Sequence, residues 1–218
     1  MMAALQREPV RLGTRALPGE LIAPGDALGL VMFVHGSGSS RDSPRNQFVA
    51  GVLNDHHLAT LLFDLLTESE ADNVDRVFDI DLLATRVAEA LVWVGQRADL
   101  AGLPVGLFGA STGAAAALSA AARLPGLVAC VVSRGGRPDL AWRQLPKVNA
   151  PTLLIVGSKD RGVLDLNRSA LALLNCKKRL EVVPGATHLF EEPGALDAAA
   201  QLAGDWFEQH LARRVDRP

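Results

Sequence analysis

The stretch VGLFGASTGAAAALSAAARL, residues 105–124, decides how the rest of the chain is read. It opens on Val105–Phe108, an apolar run of the kind that forms a buried strand, and closes on an Ala-rich run with strong helix propensity. Between the two, Gly109-Ala110-Ser111-Thr112-Gly113 fits G-x-S-x-G. That pattern needs a strand that turns into a helix within very few residues. The serine at the apex then sits in a strained backbone conformation, with its hydroxyl held out over the sheet edge. Side chains two positions before and after the apex would collide, and both positions are glycine. Ala110, Thr112 and Ala114 are small as well. The bland alternative is a Gly-rich turn carrying an ordinary serine; the strand before and the helix after weigh against it.

Outward from this stretch the chain alternates. Short apolar runs at Leu28–Val34, Ala59–Phe63, Leu127–Val132, Thr152–Val156 and Leu180–Val183 are separated by helix candidates at Arg45–His56, Asp81–Arg97, Leu164–Leu174 and Ala195–Arg213. Most of the apolar runs have no polar face, as expected of parallel strands covered by helices on both sides. In the segment 81–97, Leu82, Leu83, Val87, Leu91 and Val94 recur along one side of a helix. Pro104, Pro125, Pro151 and Pro184 fall at the junctions. The alternation implies a three-layer α/β/α sandwich with a mostly parallel sheet of about six to eight strands. Residues 1–27 read as one or two edge strands joined by Pro-Gly turns. From Val132 to Thr152 there is room for a loop and one short helix at Asp139–Leu145, too little for a helical lid.

The chain has 218 residues, 49% of them hydrophobic, with a formal net charge of −2. That suits a single domain spanning residues 1–218. No apolar run is long enough to cross a bilayer, and MMAALQREPV lacks the pattern of a secretory signal, so a cytoplasmic location is expected. Charges of both signs are scattered, which argues against nucleic acid or a membrane as partner. The two cysteines, Cys130 and Cys176, belong to no CxxC pair or His/Cys cluster, so no metal site is expected. Tyrosine is absent and cannot serve as a proton donor.

A serine hydroxyl is a weak nucleophile near neutral pH and needs a base, usually histidine, oriented by a carboxylate. Two histidines follow Ser111 in the chain. His188 lies in VVPGATHLFEEP, just after an apolar run, whereas His210 lies late in the last helix, where a solvated role is ordinary. Position selects His188. Asp160, in TLLIVGSKDRGV, lies past the carboxyl end of a strand, on the edge where open α/β sheets bind ligands. Its rival Asp165 lies at the start of a helix candidate, where a carboxylate favours the helix dipole.

Negative charge that develops on a substrate oxygen needs fixed N–H donors. The backbone N–H of Thr112, after the nucleophile and at a helix N-terminus, is one candidate. The second is the N–H of Ser37 in His35-Gly36-Ser37-Gly38-Ser39-Ser40, the small loop that follows GLVMFV. His35 there reads as a loop brace. The loop lacks G-x-x-x-x-G-K-[ST], and no G-x-G-x-x-G occurs, which disfavours nucleotide binding.

In this order and spacing, VHGSGSS, FGASTGAAAAL, VVSRGGRPDL, GSKD and VPGATHLFEEPGAL resemble the α/β-hydrolase superfamily, and within it the lidless dienelactone-hydrolase-like group, including hydrolase domains attached to phosphoribosyltransferases. The resemblance runs from about Leu28 to Phe207. It implies Ser111, Asp160 and His188 as a catalytic triad, Ser37 and Thr112 as oxyanion donors, and no metal or organic cofactor. The nucleophile is serine where dienelactone hydrolases proper have cysteine, which turns the expectation toward cleavage of small carboxylic esters through an acyl-enzyme. A thioesterase, amidase or acyltransferase on the same site is an alternative, as is a non-catalytic binding protein on this fold. No phosphoribosyltransferase signature occurs in the chain. The expected partner is a small-molecule ester, the expected assembly a monomer or homodimer.

Arg134, in SRGGRPD, and Arg41, beside the oxyanion loop, fall at the presumed site edge. Either could hold an anionic group of a substrate. The structural alternatives are ion pairs, Arg134 with Asp139 or Arg41 with Asp42. Asp64 reads as a loop brace.

Overall fold

A computed structural model of the chain describes residues 5–212. The expected reach of the last helix to Arg213 and the first residues of the N-terminal segment lie outside that range. The strands are β1 (Leu5–Leu12), β2 (Leu17–Pro24), β3 (Gly29–Val34), β4 (Leu58–Phe63), β5 (Val105–Ala110), β6 (Cys130–Arg134), β7 (Thr152–Gly157) and β8 (Lys178–Val183). The helices are α1 (Pro44–Asp55), α2 (Glu68–Ala71), α3 (Val74–Val77), α4 (Ile80–Gln96), α5 (Thr112–Arg123), α6 (Arg161–Leu173) and α7 (Ala195–Leu211).

The strands form one eight-stranded sheet in the order β1-β2-β4-β3-β5-β6-β7-β8. β1 pairs antiparallel with β2, and β2 antiparallel with β4; every other pairing is parallel. The N-terminal segment is thus an antiparallel edge on a parallel sheet. Every residue of β3, β4, β5, β6 and β7 is buried, which explains why those runs carry no polar face. The outermost strand β8 is mostly exposed or half-buried, as an edge strand with charged side chains should be.

Two apolar layers flank the sheet. On one face Met32, Leu61, Leu107 and Leu154 pack with α4, α5 and α6 through Leu83, Val87, Leu118 and Ala170. On the other, Phe33, Phe108 and Ile155 meet α1 and α7 through Val49, Leu53, Ala203 and Phe207. α5 is buried from Thr112 to Ala121, so its alanines serve closeness to the sheet.

Three local readings differ from the sequence expectation. β6 begins at Cys130, because the turn after Pro125 carries through Leu127, whose N–H bonds Leu124 O and whose side chain is exposed. The helix expected at Asp139–Leu145 is two 3₁₀ turns, Pro138–Ala141 and Leu145–Lys147, each with a proline in its first turn. α6 starts at Arg161, so Asp160 occupies its N-cap position.

Candidate active site

The site lies at the carboxyl ends of β3, β5, β6 and β7. β5 delivers Ser111 at the N-cap of α5 with φ 51° and ψ −123°, a left-handed φ that costs a non-glycine residue about 1–3 kcal/mol. The surroundings hold it there. Its N–H donates to Arg134 O at 3.2 Å, and its carbonyl accepts from Arg137 N at 3.0 Å and Ala114 N at 3.1 Å. The flanking glycines are required by close approach. A Cβ at Gly109 would lie 2.5 Å from Ala114 Cα, and one at Gly113 only 2.1 Å from Val34 O.

His188 comes from the loop after β8. Gly185 N–H donates to Ser158 Oγ at 2.8 Å, Lys159 N–H to Ala186 O at 2.9 Å, and Phe190 is buried beneath the loop. These contacts clamp the loop to the end of β7. The ring then stands between two partners: Nε2 is 3.4 Å from Ser111 Oγ, and Nδ1 is 2.6 Å from Asp160 Oδ2. Asp160 makes no side-chain cap bond to α6, so its carboxylate is turned to the imidazole. It is 16% exposed against 38% for His188. Asp165 lies within α6 and pairs with Arg168 at 3.0 Å, while His210 bonds Trp206 O at 2.8 Å. The three residues singled out from strand-end motifs are the three that meet.

Around them the loop after β3, residues 35–40, is braced by His35. Leu65 N–H donates to His35 Nε2 at 3.1 Å, so that nitrogen carries no proton, and Nδ1–H donates to Gly36 O at 3.0 Å. Burial lowers the His35 pKa, which keeps the ring neutral. Ser37 differs from expectation: its N–H donates to Thr112 Oγ1 at 2.8 Å and reaches an oxyanion only when that hydroxyl yields it. The N–H of Thr112 opens α5 and has no acceptor within the helix.

Arg41 engages Asp64 in a close ion pair through its guanidinium, its N–H donates to Asp64 Oδ1 at 2.8 Å, and it also reaches Asp42 at 3.7 Å. It braces the loop through Asp64 and is absent from the lining of the Ser111 cavity. Arg134 does line that cavity and does not pair with Asp139, which is held by Arg137.

Two hollows meet at the loop after β3, sharing Gly36, Ser37 and Ser39. One, of about 230 Å³, is lined by Ser111, His188, Arg134 and Asn46. The other, of about 250 Å³, is walled by Leu65, Leu66, Val77 and Leu83, with α2 and α3 along its rim. Sequence reasoning missed this second hollow, since four-residue helices leave no periodic signal. Elsewhere, His56, Asp205 and Glu208 offer three ligand atoms within 4.8 Å of one another between α1 and α7. No helix among the described residues is long and apolar enough to cross a membrane.

The architecture is that of an α/β hydrolase. Residues 54–211 match the family model described as the dienelactone hydrolase family, and the chain belongs to that family. A dienelactone hydrolase from Anabaena variabilis shares 53% identity, with a TM-score of 0.91, over 97% of this chain and 100% of that one. Est1E from Butyrivibrio proteoclasticus, 14% identical with a TM-score of 0.77 over 94% of this chain and 99% of its own, shares the fold. A putative phosphoribosyl transferase of Mycobacterium tuberculosis is 56% identical over 209 residues, 95% of this chain but 47% of that protein. The chain therefore spans about half the length of the curated relatives it matches. Its family makes it a hydrolase.

Proposed function

We propose that the chain is a serine hydrolase that cleaves small carboxylic esters through an acyl-enzyme. The observation that carries this reading is the hydrogen-bonded chain Ser111 Oγ, His188, Asp160, with separations of 3.4 Å and 2.6 Å. His188 Nε2 removes the proton from Ser111 as the hydroxyl attacks the ester carbonyl. Asp160 holds Nδ1–H and stabilises the imidazolium that forms. The Thr112 N–H, joined by Ser37 once Thr112 Oγ1 gives up its bond, faces the developing oxyanion. His188 then returns the proton to the leaving alcohol, and water repeats the cycle on the acyl-serine. Serine, where dienelactone hydrolases proper have cysteine, supports general ester cleavage over lactone-specific chemistry.

The apolar hollow beside the oxyanion loop, about 250 Å³, accommodates a short acyl or compact alcohol group. Acetyl and butyryl esters of 4-nitrophenol should therefore be cleaved faster than the decanoyl ester. Cleavage that requires Ser111 and falls with acyl length supports the reading. No cleavage of any ester, thioester or amide by folded protein removes it in favour of a binding role.

A further inference from the structure

The triad leaves one strongly charged group of the Ser111 cavity without a role. Arg134 ends β6 and is only 8% exposed. Its guanidinium reaches Asn46 Oδ1 at 3.5 Å through one terminal nitrogen, and the other, also buried, has no partner. The group stands over the Phe108 ring at 5.8 Å. Among the described residues no carboxylate pairs with it. A guanidinium withdrawn from water without a countercharge is costly, and an anion bound in the cavity would supply that charge. Burial and the nearby Arg45 charge push its pKa down to about 10, which leaves it cationic at neutral pH.

The wall beside Arg134 is also positive. Ser43, Arg45 and Asn46, the N-cap and first turn of the twelve-residue helix α1, line the same cavity. The positive end of the helix dipole is therefore directed there. Arg45 has one ionic contact, at 3.4 Å, with the exposed Glu191, a pair that solvent screens heavily. Two guanidiniums and a helix N-terminus exceed what one carboxylate balances. A phosphate monoester carries about −1.5 to −2 charges at pH 7 and three acceptor oxygens.

We propose that this end of the cavity is an anion subsite, and that the ester cleaved by Ser111 carries a phosphate group held by Arg134 and Arg45 at the N-terminus of α1. The proposal rests on the serine-hydrolase reading and names the substrate class of that site: phosphorylated carboxylic esters. It also explains why Arg134 is set apart from Asp139. A carboxylate partner would fill the place the phosphate takes.

The test titrates inorganic phosphate into the full chain at constant ionic strength, by calorimetry and by inhibition of 4-nitrophenyl acetate cleavage. Phosphate should bind and inhibit competitively. Arg134→Gln should weaken binding about tenfold or more, as loss of a charge-assisted contact requires, while Arg168→Gln on the exposed face of α6 leaves it unchanged. Should Arg134→Gln fail to fold, Arg45→Gln carries the same test, with weakening of about threefold or more. Phosphate that does not bind, that binds equally to the Arg134 and Arg45 variants, or that binds more weakly than acetate overturns the proposal. So does phosphate that binds without competing with the ester. Ester cleavage alongside any of these results sinks the subsite alone; absence of all ester cleavage sinks the hydrolase reading.

Discussion

The backbone N–H of Ser37 donates to the side chain of Thr112 at 2.8 Å, so the two residues proposed to hold the oxyanion also hold each other. The bond ties the loop after β3 to the first turn of α5, and Ser37 and Ser111 line one cavity. Thr112→Val keeps the shape and removes the acceptor. The hydroxyl must yield the N–H during attack, but the bond places the loop beforehand; without it the freed Ser37 N–H is no longer aimed, so on 4-nitrophenyl acetate kcat should fall on the order of tenfold, with little change in KM. Thr112→Ser should stay near wild type. A Thr112→Val enzyme with unchanged kcat would show that the bond does not set the donor.

Asp160 is 2.6 Å from His188 Nδ1 and makes no cap bond to α6, so its carboxylate is committed to the imidazole. Asp160→Asn should lower kcat on the order of 10²–10⁴-fold while leaving thermal stability nearly unchanged. Asp165→Asn, at a carboxylate that pairs with Arg168, should change kcat by less than about twofold. Steady-state kinetics on the two variants distinguishes the carboxylates directly.

The elbow tolerates no side chain at its second glycine. A Cβ on residue 113 would lie 2.1 Å from Val34 O and 2.4 Å from His35 O, both backbone atoms of the central strand's exit. Gly113→Ala should destabilise the fold by about 3 kcal/mol or more. Urea unfolding followed by circular dichroism measures it. Gly162→Ala, where a Cβ meets nothing within 4 Å, is the matched control and should be neutral or slightly stabilising.

His35 accepts the Leu65 N–H and is held neutral by burial, and burial likewise lowers the His210 pKa. The unfolded chain binds these protons near the ordinary histidine value of about 6.5, whereas the folded chain binds them only at lower pH. Stability is therefore fully present above that value and is lost as pH falls below it. The Tm of wild type should drop between about pH 7 and pH 5. His35→Gln should be less stable at pH 8 and show a shallower drop. An equal slope in the variant would assign the pH dependence to other groups.

The parts of this molecule that were legible from sequence are those specified within a few neighbouring residues. The elbow needs small residues on both sides of Ser111, and the strands need unbroken apolar runs, so β3, β4, β5 and β7 and the positions of Ser111, His188 and Asp160 past strand ends could be read directly, whereas the apolar run at Leu127 begins ahead of β6. The start of α6 could not be read, because its first two residues, Arg161 and Gly162, carry no apolar signal and glycine is a weak helix former, so the helix reads only from further along. α2 and α3 exist through their caps, a capping box at Thr67 and Glu70 and the Asn73 side chain, and through the tertiary pair Arg86–Glu70 at 3.1 Å. No periodic pattern announces helices of that kind. The pairing of Arg41 with Asp64, the isolation of Arg134 and the bond between Ser37 and Thr112 are each made across the fold, and only coordinates show them.

The central claim is that Ser111 is the nucleophile activated through His188, and covalent trapping tests it most directly. Incubation with a fluorophosphonate should add one phosphonyl group, seen in the intact mass and mapped by peptide sequencing to Ser111. The adduct should disappear in Ser111→Ala and form far more slowly in His188→Ala. Well-folded wild-type protein that takes up no label, or takes it up at another residue, would contradict the account.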